Sequence, residues 1–126
     1  MSEHVTICEV GPRDGLQIAK TRMTTADKVA WIHSLADAGI PEIEVGSFVP
    51  PRVIPQLSDT PEIVADILAS NPKWTVQVLA PNLRGVQNAY NAGAHKIAIP
   101  VSVSVGHSMA NLNRHPDQSI DMMKDI

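Results

Sequence analysis

The sequence predicts an α/β fold built on parallel strands, and three observations carry that expectation. Four short segments rich in β-branched and aliphatic residues alternate with segments of helical period. The connections between them are short, so each helix reads as a crossover between parallel strands, with the right-handed sense such crossovers take. The later strands, VQVLA and KIAIPV, are nearly continuous in apolar residues, as strands covered on both faces are. Two architectures fit this plan. One is a small open, doubly wound sheet, complete at this length. The other is the first four βα units of an eight-stranded barrel, a fold that typically takes ~250 residues.

The elements follow in order. His4 to Val10 (HVTICEV) is short, β-branched and stopped by Gly11-Pro12, which predicts the first strand. Thr24-Thr25-Ala26-Asp27 has the form of a capping box with Asp in place of Glu, and it opens a helix through about Ala38. Val29, Ile32, Leu35 and Ala36 recur there at helical spacing, and Gly39 supplies the stop. The second strand is Glu42 to Val45. A longer loop through Val49-Pro50-Pro51-Arg52 leads to Ser58, after which Asp59 is the expected cap and Pro61 sits in the first turn, where its missing N–H costs nothing. Ile63, Val64, Ile67 and Leu68 form the apolar face of this second helix, which Asn71-Pro72 ends. Trp74 to Ala80 is the third strand, Leu83 to Ala92 the third helix with Gly93 as its stop, and Lys96 to Val101 the fourth strand. Ser102 to Arg114 reads as a polar loop, and Pro116 opens a last helix running to Ile126.

Length and composition bound the function. The 126 residues suit one domain, residues 1–126, and 44% apolar content is enough for a core. A formal charge of −3 with no basic cluster gives no footprint for nucleic acid. Aromatic residues are 3% of the chain, which disfavours base-stacking and carbohydrate platforms. No apolar run approaches the ~20 residues that cross a bilayer. The single cysteine, Cys8, has no internal partner, and no leader pattern precedes the first strand, so a cytoplasmic location is expected. The first loop, G-P-R-D-G, lacks the G-x-G-x-x-G spacing of a dinucleotide site, and there is no G-K-[ST] of a P-loop.

In either architecture ligands bind beyond the carboxyl ends of the strands. The polar residues collected there are Arg13, Asp14 and Gln17 after the first strand, Glu44 and Ser47 at the end of the second, and Asn82 after the third; Ser102, Ser104, His107 and Asn113 follow the fourth. A fixed cation beside a carboxylate on a stiffened loop suits an anionic substrate and a metal ion, whereas the plain alternative is a strand-to-helix turn with solvated charges. Glu44 lies inside an apolar strand, where a carboxylate needs a partner, and Arg13 is the natural one. That pair is either structural or catalytic, and Glu42, two residues earlier, shares the face. The five histidines form no H-x-H or H-x-x-x-H pair, so the chain carries no self-contained zinc signature. Cys8 on the first strand reads as a small apolar residue rather than a nucleophile.

The stretches EVGPRDGLQ, IEVGSFVPPRVIPQLSDT, VLAPNLRG and AGAHKIAIP closely resemble 3-hydroxy-3-methylglutaryl-CoA lyases and their bacterial relatives, a group of metal-dependent barrel lyases and acyl transferases that includes isopropylmalate synthase. The resemblance runs from about Val5 to the last helix. It implies a partial (β/α)8 barrel, the amino-terminal half of a lyase domain that cleaves a 3-hydroxyacyl-CoA to acetyl-CoA and a keto acid. It implies Asp14 as a ligand of a divalent cation, Mg2+ or Mn2+, and Arg13 as the group that stabilises the developing enolate, with Glu44 supporting the same pocket. Gln17, Ser47 and Asn82 are then expected to bind substrate.

Two departures from the family pattern stand out. The family's H-x-H pair, an asparagine ligand and a cysteine on a glycine-rich loop have no counterpart in these residues, so the metal site is expected to be incomplete and the chain inactive alone. Its expected partners are an acyl-CoA, and either another copy of itself or a missing carboxy-terminal half; nucleic acid and membranes are not. Secondly, relatives carry S-E after the fourth strand where this chain has Ser104-Val105, which removes a carboxylate from the rim. The competing readings are a non-catalytic half-barrel that needs a partner chain and a small open-sheet domain that binds an anion.

Overall fold

The computed structural model describes residues 2–126. Four strands, β1 (Cys8–Glu9), β2 (Glu42–Ser47), β3 (Thr75–Leu79) and β4 (Lys96–Ala98), lie in the order β1-β2-β3-β4, and every neighbouring pair is parallel. Helices α1 (Thr25–Asp37), α2 (Thr60–Ala69) and α3 (Leu83–Ala92) make the three crossovers, and α4 (Val105–Leu112) and α5 (Pro116–Met123) follow β4. Sequential order with one helix per crossover is the expected fourfold βα plan. All carboxyl ends of the strands therefore point the same way.

Alternation along the strands sorts the side chains onto two faces. Ile43 and Val45 of β2 and Val76 and Val78 of β3 meet Ile32 of α1, Ile63, Val64 and Ile67 of α2 and Ala89 of α3 in one buried cluster. Burying each of these side chains is worth about 1.5–3 kcal/mol, which makes this layer the main source of stability. The alternate positions, Glu42, Glu44, Gln77 and Lys96, fall on the other face, where Glu44, Gln77 and Lys96 stand in register across three strands. A bulge between Glu44 and Gly46 resets β2 just before its end.

Caps explain the helix boundaries. The Thr24 hydroxyl accepts the Asp27 N–H and donates to the Asp27 carboxylate, so Asp satisfies the hydroxyl rather than reaching back to the backbone as Glu would. Asn82 accepts from the Gly85 N–H at 2.9 Å, and Gly93 closes α3 at φ 87°, a left-handed conformation suited to glycine. Both ends of α3 fall where the sequence places them.

The structure departs from the sequence reading at the end of α5, which stops at Met123 rather than Ile126, and at five further places. The first strand is two residues rather than seven: β1 pairs on one side only, with Cys8 opposite Glu42 and Glu9 opposite Ile43, and the preceding Val5 and Ile7 are 78% and 65% exposed. β4 likewise ends at Ala98, because β3 offers it partners only from Gln77 to Leu79. β2 runs two residues further than expected, to Ser47, since the bulge keeps its end paired with Val78 and Leu79. Asp59 occupies the cap position of α2 but gives α2 no side-chain bond; its carboxylate instead takes the buried Lys28 ammonium at 2.7 Å and the Thr25 hydroxyl at 2.7 Å. Charge pairing with a lysine taken out of water outweighs a cap. Finally, residues 105–112 are helical, not a loop: Ser104 accepts the His107 N–H, and Asn113 closes the helix at φ 52°.

Thr60 ties β2 to α2. Its hydroxyl accepts the Ser47 N–H at 3.0 Å and donates to the Leu57 carbonyl at 2.7 Å, in a site 1% exposed. Gly46 has no side chain to spare there, since an added Cβ would lie 2.4 Å from the Thr60 hydroxyl. Thr60→Val keeps the shape and leaves both backbone groups unpaired. It is expected to cost about 1–3 kcal/mol, read as a lower urea midpoint at unchanged slope.

Candidate active site

The GPRDG segment leaves β1 as a wide π-type turn, Gly11–Gly15, in which the Arg13 and Asp14 N–H groups both bond the Val10 carbonyl, at 3.1 and 2.7 Å. Two contacts hold the turn in place. The Gly11 N–H donates to the Glu9 carboxylate at 2.8 Å, and Trp31 of α1 packs so close that a Cβ on Gly11 would lie 3.0 Å from its ring. Pro12 is buried beneath. The turn therefore delivers Arg13 inward over the polar face of the sheet.

Arg13 makes three side-chain bonds. Its Nε donates to Glu44 Oε1, and Nη1 donates to Asp14 Oδ1 at 3.0 Å and to Gln17 Oε1 at 3.3 Å. The second oxygen of Glu44 accepts from Gln77 Nε2. The Glu44 side chain is 3% exposed and that of Arg13 16%, so this is a nearly dry ion pair, whereas Asp14 at 64% faces solvent. A buried pair of this kind is strongly destabilised by loss of one partner, by about 3–5 kcal/mol, because the other charge stays buried.

A second pair lies in the same row. Lys96 Nζ donates to Glu42 Oε1 at 2.8 Å, and this bond holds the Glu42 carboxyl below its ordinary 4.5 against the opposing effect of burial. The same bond raises the Lys96 ammonium above its usual 10.5. Beside them, burial first, and then the hydrogen bond and charge of Glu42, push the Cys8 thiol up to about 11. Both carboxylates of β2 thus lie on the polar face of the sheet, Glu44 paired with Arg13 and Glu42 with Lys96.

Of the sequence-nominated residues, Arg13, Asp14, Gln17 and Glu44 are brought together. Ser47 and Asn82 lie at the same end of the sheet but join none of these bonds; Ser47 Oγ is buried without a partner, and Asn82 is spent on capping α3. His107 sits on α4 and bonds Ser102 Oγ at 2.7 Å and Asn111 Nδ2 at 3.2 Å, a local cluster apart from Arg13. Asn113 is the left-handed cap of α4. Gln77 and Lys96 were not nominated, although each is a polar residue set in an apolar strand, the same signal that singles out Glu44.

The comparisons with known proteins bear on this geometry. Residues 4–126 match the family model described as HMGL-like. The chain is 38% identical over 122 residues to hydroxymethylglutaryl-CoA lyase YngG of Bacillus subtilis, covering 97% of this chain and 40% of that protein. It is 39% identical over 126 residues to the cytoplasmic 3-hydroxy-3-methylglutaryl-CoA lyase of Rattus norvegicus, covering 36% of its length. Its fold matches an HMG-CoA lyase from Acinetobacter baumannii, solved in complex with coenzyme A and 3-methylmalate, with a TM-score of 0.88 at 36% identity over 95% of this chain and 39% of that one. The chain thus spans about two fifths of the length of these proteins, and its four parallel units are the corresponding part of a barrel.

Two measurements test the electrostatics of the row. Because Glu42 titrates below its ordinary value, its pairing stabilises the fold above about pH 4.5 and is lost as pH falls through the folded value; Lys96 titrates above its ordinary value, so its share holds below about pH 10.5 and is lost as pH rises further. Urea unfolding across pH should show a plateau between those limits, and Lys96→Met should weaken the acid limb. For Cys8, a thiol at about 11 instead of 9.0 carries so little thiolate that iodoacetamide at pH 8 should alkylate it about a hundredfold more slowly than an unperturbed cysteine. Glu42→Gln should speed the reaction several-fold and leave it slow, since burial remains.

Proposed function

The chain belongs to the HMGL-like family, and on that premise we propose that it forms the Arg13-bearing part of a carbon–carbon lyase site acting on a 3-hydroxyacyl-CoA. The observation that carries this reading is the guanidinium of Arg13, held by the buried Glu44 while its Nη1 edge extends toward the exposed Asp14. In such a cleavage the substrate's C3 hydroxyl loses its proton to a base and the C2–C3 bond breaks. C3 becomes the carbonyl of the keto acid, and the electron pair passes to the thioester as an enolate, which takes up a proton to give acetyl-CoA. The charge that grows on the thioester oxygen is what a fixed guanidinium stabilises. Glu44 and Gln77 fix the orientation of that fork, and Gln17 shares its Nη1 edge. Ser47 and Asn82, at the same end of the sheet, remain candidates for substrate contact in this reading.

A divalent cation, Mg2+ or Mn2+, belongs to the same reading, with Asp14 as one ligand. Such ions take about six ligands, and among the described residues no three of His, Cys, Asp and Glu come together as a metal site. These residues alone do not fit a resident cation, so the base and the other metal ligands are assigned to protein outside these four units, supplied by further barrel or by an associating chain. Relatives are named both cytoplasmic, as in Rattus norvegicus, and mitochondrial, as in Bos taurus, and a cytoplasmic place for this chain is part of the same proposal. No helix among the described residues is long and apolar enough to cross a membrane.

The test combines these 126 residues with the carboxy-terminal portion of the Bacillus subtilis relative, and measures acetyl-CoA release with Mn2+ present. The chain alone is expected to be inactive and the combination active. Arg13→Lys keeps the charge but loses the planar fork, and should lower kcat by about 100-fold or more at a similar metal requirement. Asp14→Ala should raise the Mn2+ concentration needed for activity beyond the millimolar range. Normal turnover by Arg13→Lys, or unchanged metal affinity in Asp14→Ala, would overturn the reading.

A further inference from the structure

Between the GPRDG turn and the cap of α1 at Thr24, residues 16–23 cross the ligand end of the sheet with little burial to hold them. Ile18 is 84% exposed, and Lys20, Thr21, Arg22 and Met23 face solvent as well. The Ala19 N–H donates to the Leu16 carbonyl at 3.2 Å, which closes a local turn with Gln17 inside it. Gln17 is the residue whose Oε1 accepts from Arg13 Nη1. Apart from that bond, one hydrogen bond reaches the stretch from another segment among the described residues: Gln56 Nε2 donates to the Ala19 carbonyl at 3.1 Å.

Gln56 is itself firmly held. It lies in a short 3-10 turn, Pro55–Leu57, in the loop after β2. Its backbone carbonyl accepts from Lys28 Nζ at 2.6 Å, and the same ammonium donates to Asp59 Oδ1 at 2.7 Å. The other oxygen of Asp59 accepts from the Thr25 hydroxyl at 2.7 Å. Lys28 is buried in α1, where a lysine persists only if its charge and its donors are met. Asp59 meets the charge, and the backbone of Gln56 takes a second proton. The turn is thereby pinned to the start of α1 and the start of α2, two rigid elements, and its side chain is free to brace the loop opposite.

We propose that Gln56 is a positioning residue for the Arg13 guanidinium, acting through Ala19 and Gln17. Glu44 holds the guanidinium at Nε from the sheet, and a planar fork hung from one bond can still swing about it. The Nη1 edge meets Asp14, which faces solvent, and Gln17, which sits in the turn that Gln56 braces. Gln17 is therefore the fixed partner of that edge, and it is fixed only as well as Ala19 is. The direction of the Nη1 edge decides how well it meets charge growing on an oxygen, and small misplacements at such a centre are costly. The effect on rate rests on the lyase reading above; the effect on the loop does not.

The experiment reads the two separately. Gln56→Glu keeps the size of the side chain and removes the donor, and it leaves the Lys28 bond in place because that bond uses the backbone carbonyl. In the full chain, followed by nuclear magnetic resonance, the amides of Gln17 to Lys20 should exchange about tenfold faster and the Gln17 side-chain amide should shift. The Arg13 Nε–H, still on Glu44, should exchange at its former rate, whereas a loss of global stability would speed both. Gln56→Leu, which also lacks the donor, should behave alike. In the combination with the carboxy-terminal portion of the Bacillus subtilis relative, Gln56→Glu should lower kcat about tenfold and leave KM for 3-hydroxy-3-methylglutaryl-CoA unchanged. Added to Gln17→Ala, it should lower kcat no further than Gln17→Ala alone, since the two act in series. Unchanged exchange at Gln17 to Lys20, a kcat equal to that of the unsubstituted combination, or a full further loss in the double variant overturns the proposal. If the unsubstituted combination is inactive, the lyase reading falls, and the loop exchange and the Gln17 shift decide whether Gln56 positions the Arg13 edge.

Discussion

A carboxylate in the middle of a buried strand sets the terms for everything around it. Glu44 is 2% exposed on a strand whose six residues are all buried, and an ionised group there is tolerated only when each oxygen has a donor. Arg13 supplies one and Gln77 the other. That requirement recruits three segments at once: the turn after β1 has to curl inward, β2 has to present its carboxylates opposite to its isoleucine and valine, and β3 has to carry a glutamine in a run of valines. The wide turn, the tight approach of Trp31 to Gly11 and the register of Glu44 with Gln77 are all means of meeting it.

The sheet thereby divides its labour by face. One side is closed by α1, α2 and α3 over an aliphatic layer, whose buried polar groups, Thr60 and Lys28, are bonded at its edge. The other is a row of paired charges, Glu44 with Arg13 and Glu42 with Lys96, in which neither carboxylate lacks a cation. β2 serves both sides and ends at Ser47.

Much of this was legible in the residues themselves. The run from Asn82 to Gly93 fixes α3 at both ends because its cap and its stop are local, needing only a side-chain oxygen and a left-handed glycine. The pairing of Arg13 with Glu44 was legible because an isolated carboxylate in an apolar strand demands a cation. What failed depended on distant partners. His4 to Val10 has the composition of a long strand, but a strand is as long as its neighbour allows, and β1 has one neighbour. Asp59 reads as a cap until Lys28, thirty-one positions earlier, claims its carboxylate. Residues 105–112 hide a helix because its buried face is Ser108, bonded to the Arg114 carbonyl, while Val105 and Met109 point outward. The direction of a side chain relative to a second carboxylate, as for Glu42 and Glu44, also needed the register.

The brevity of β1 has a consequence for how the protein breathes. Two residues of one-sided ladder contribute few hydrogen bonds, so the segment would belong to the first to open were the ladder its sole anchor. It is followed by Arg13, however, and lifting β1 away pulls that guanidinium off Glu44 and strands a charge in the interior. Local opening of this edge is thereby made nearly as costly as loosening the sheet. The residues ahead of Cys8 carry no such penalty. Amide exchange should therefore change abruptly at this point, with His4 to Ile7 exchanging freely and the turn from Gly11 protected far beyond what its short strand would suggest. The order of the GPRDG turn comes from the charge it carries rather than from the strand that leads into it.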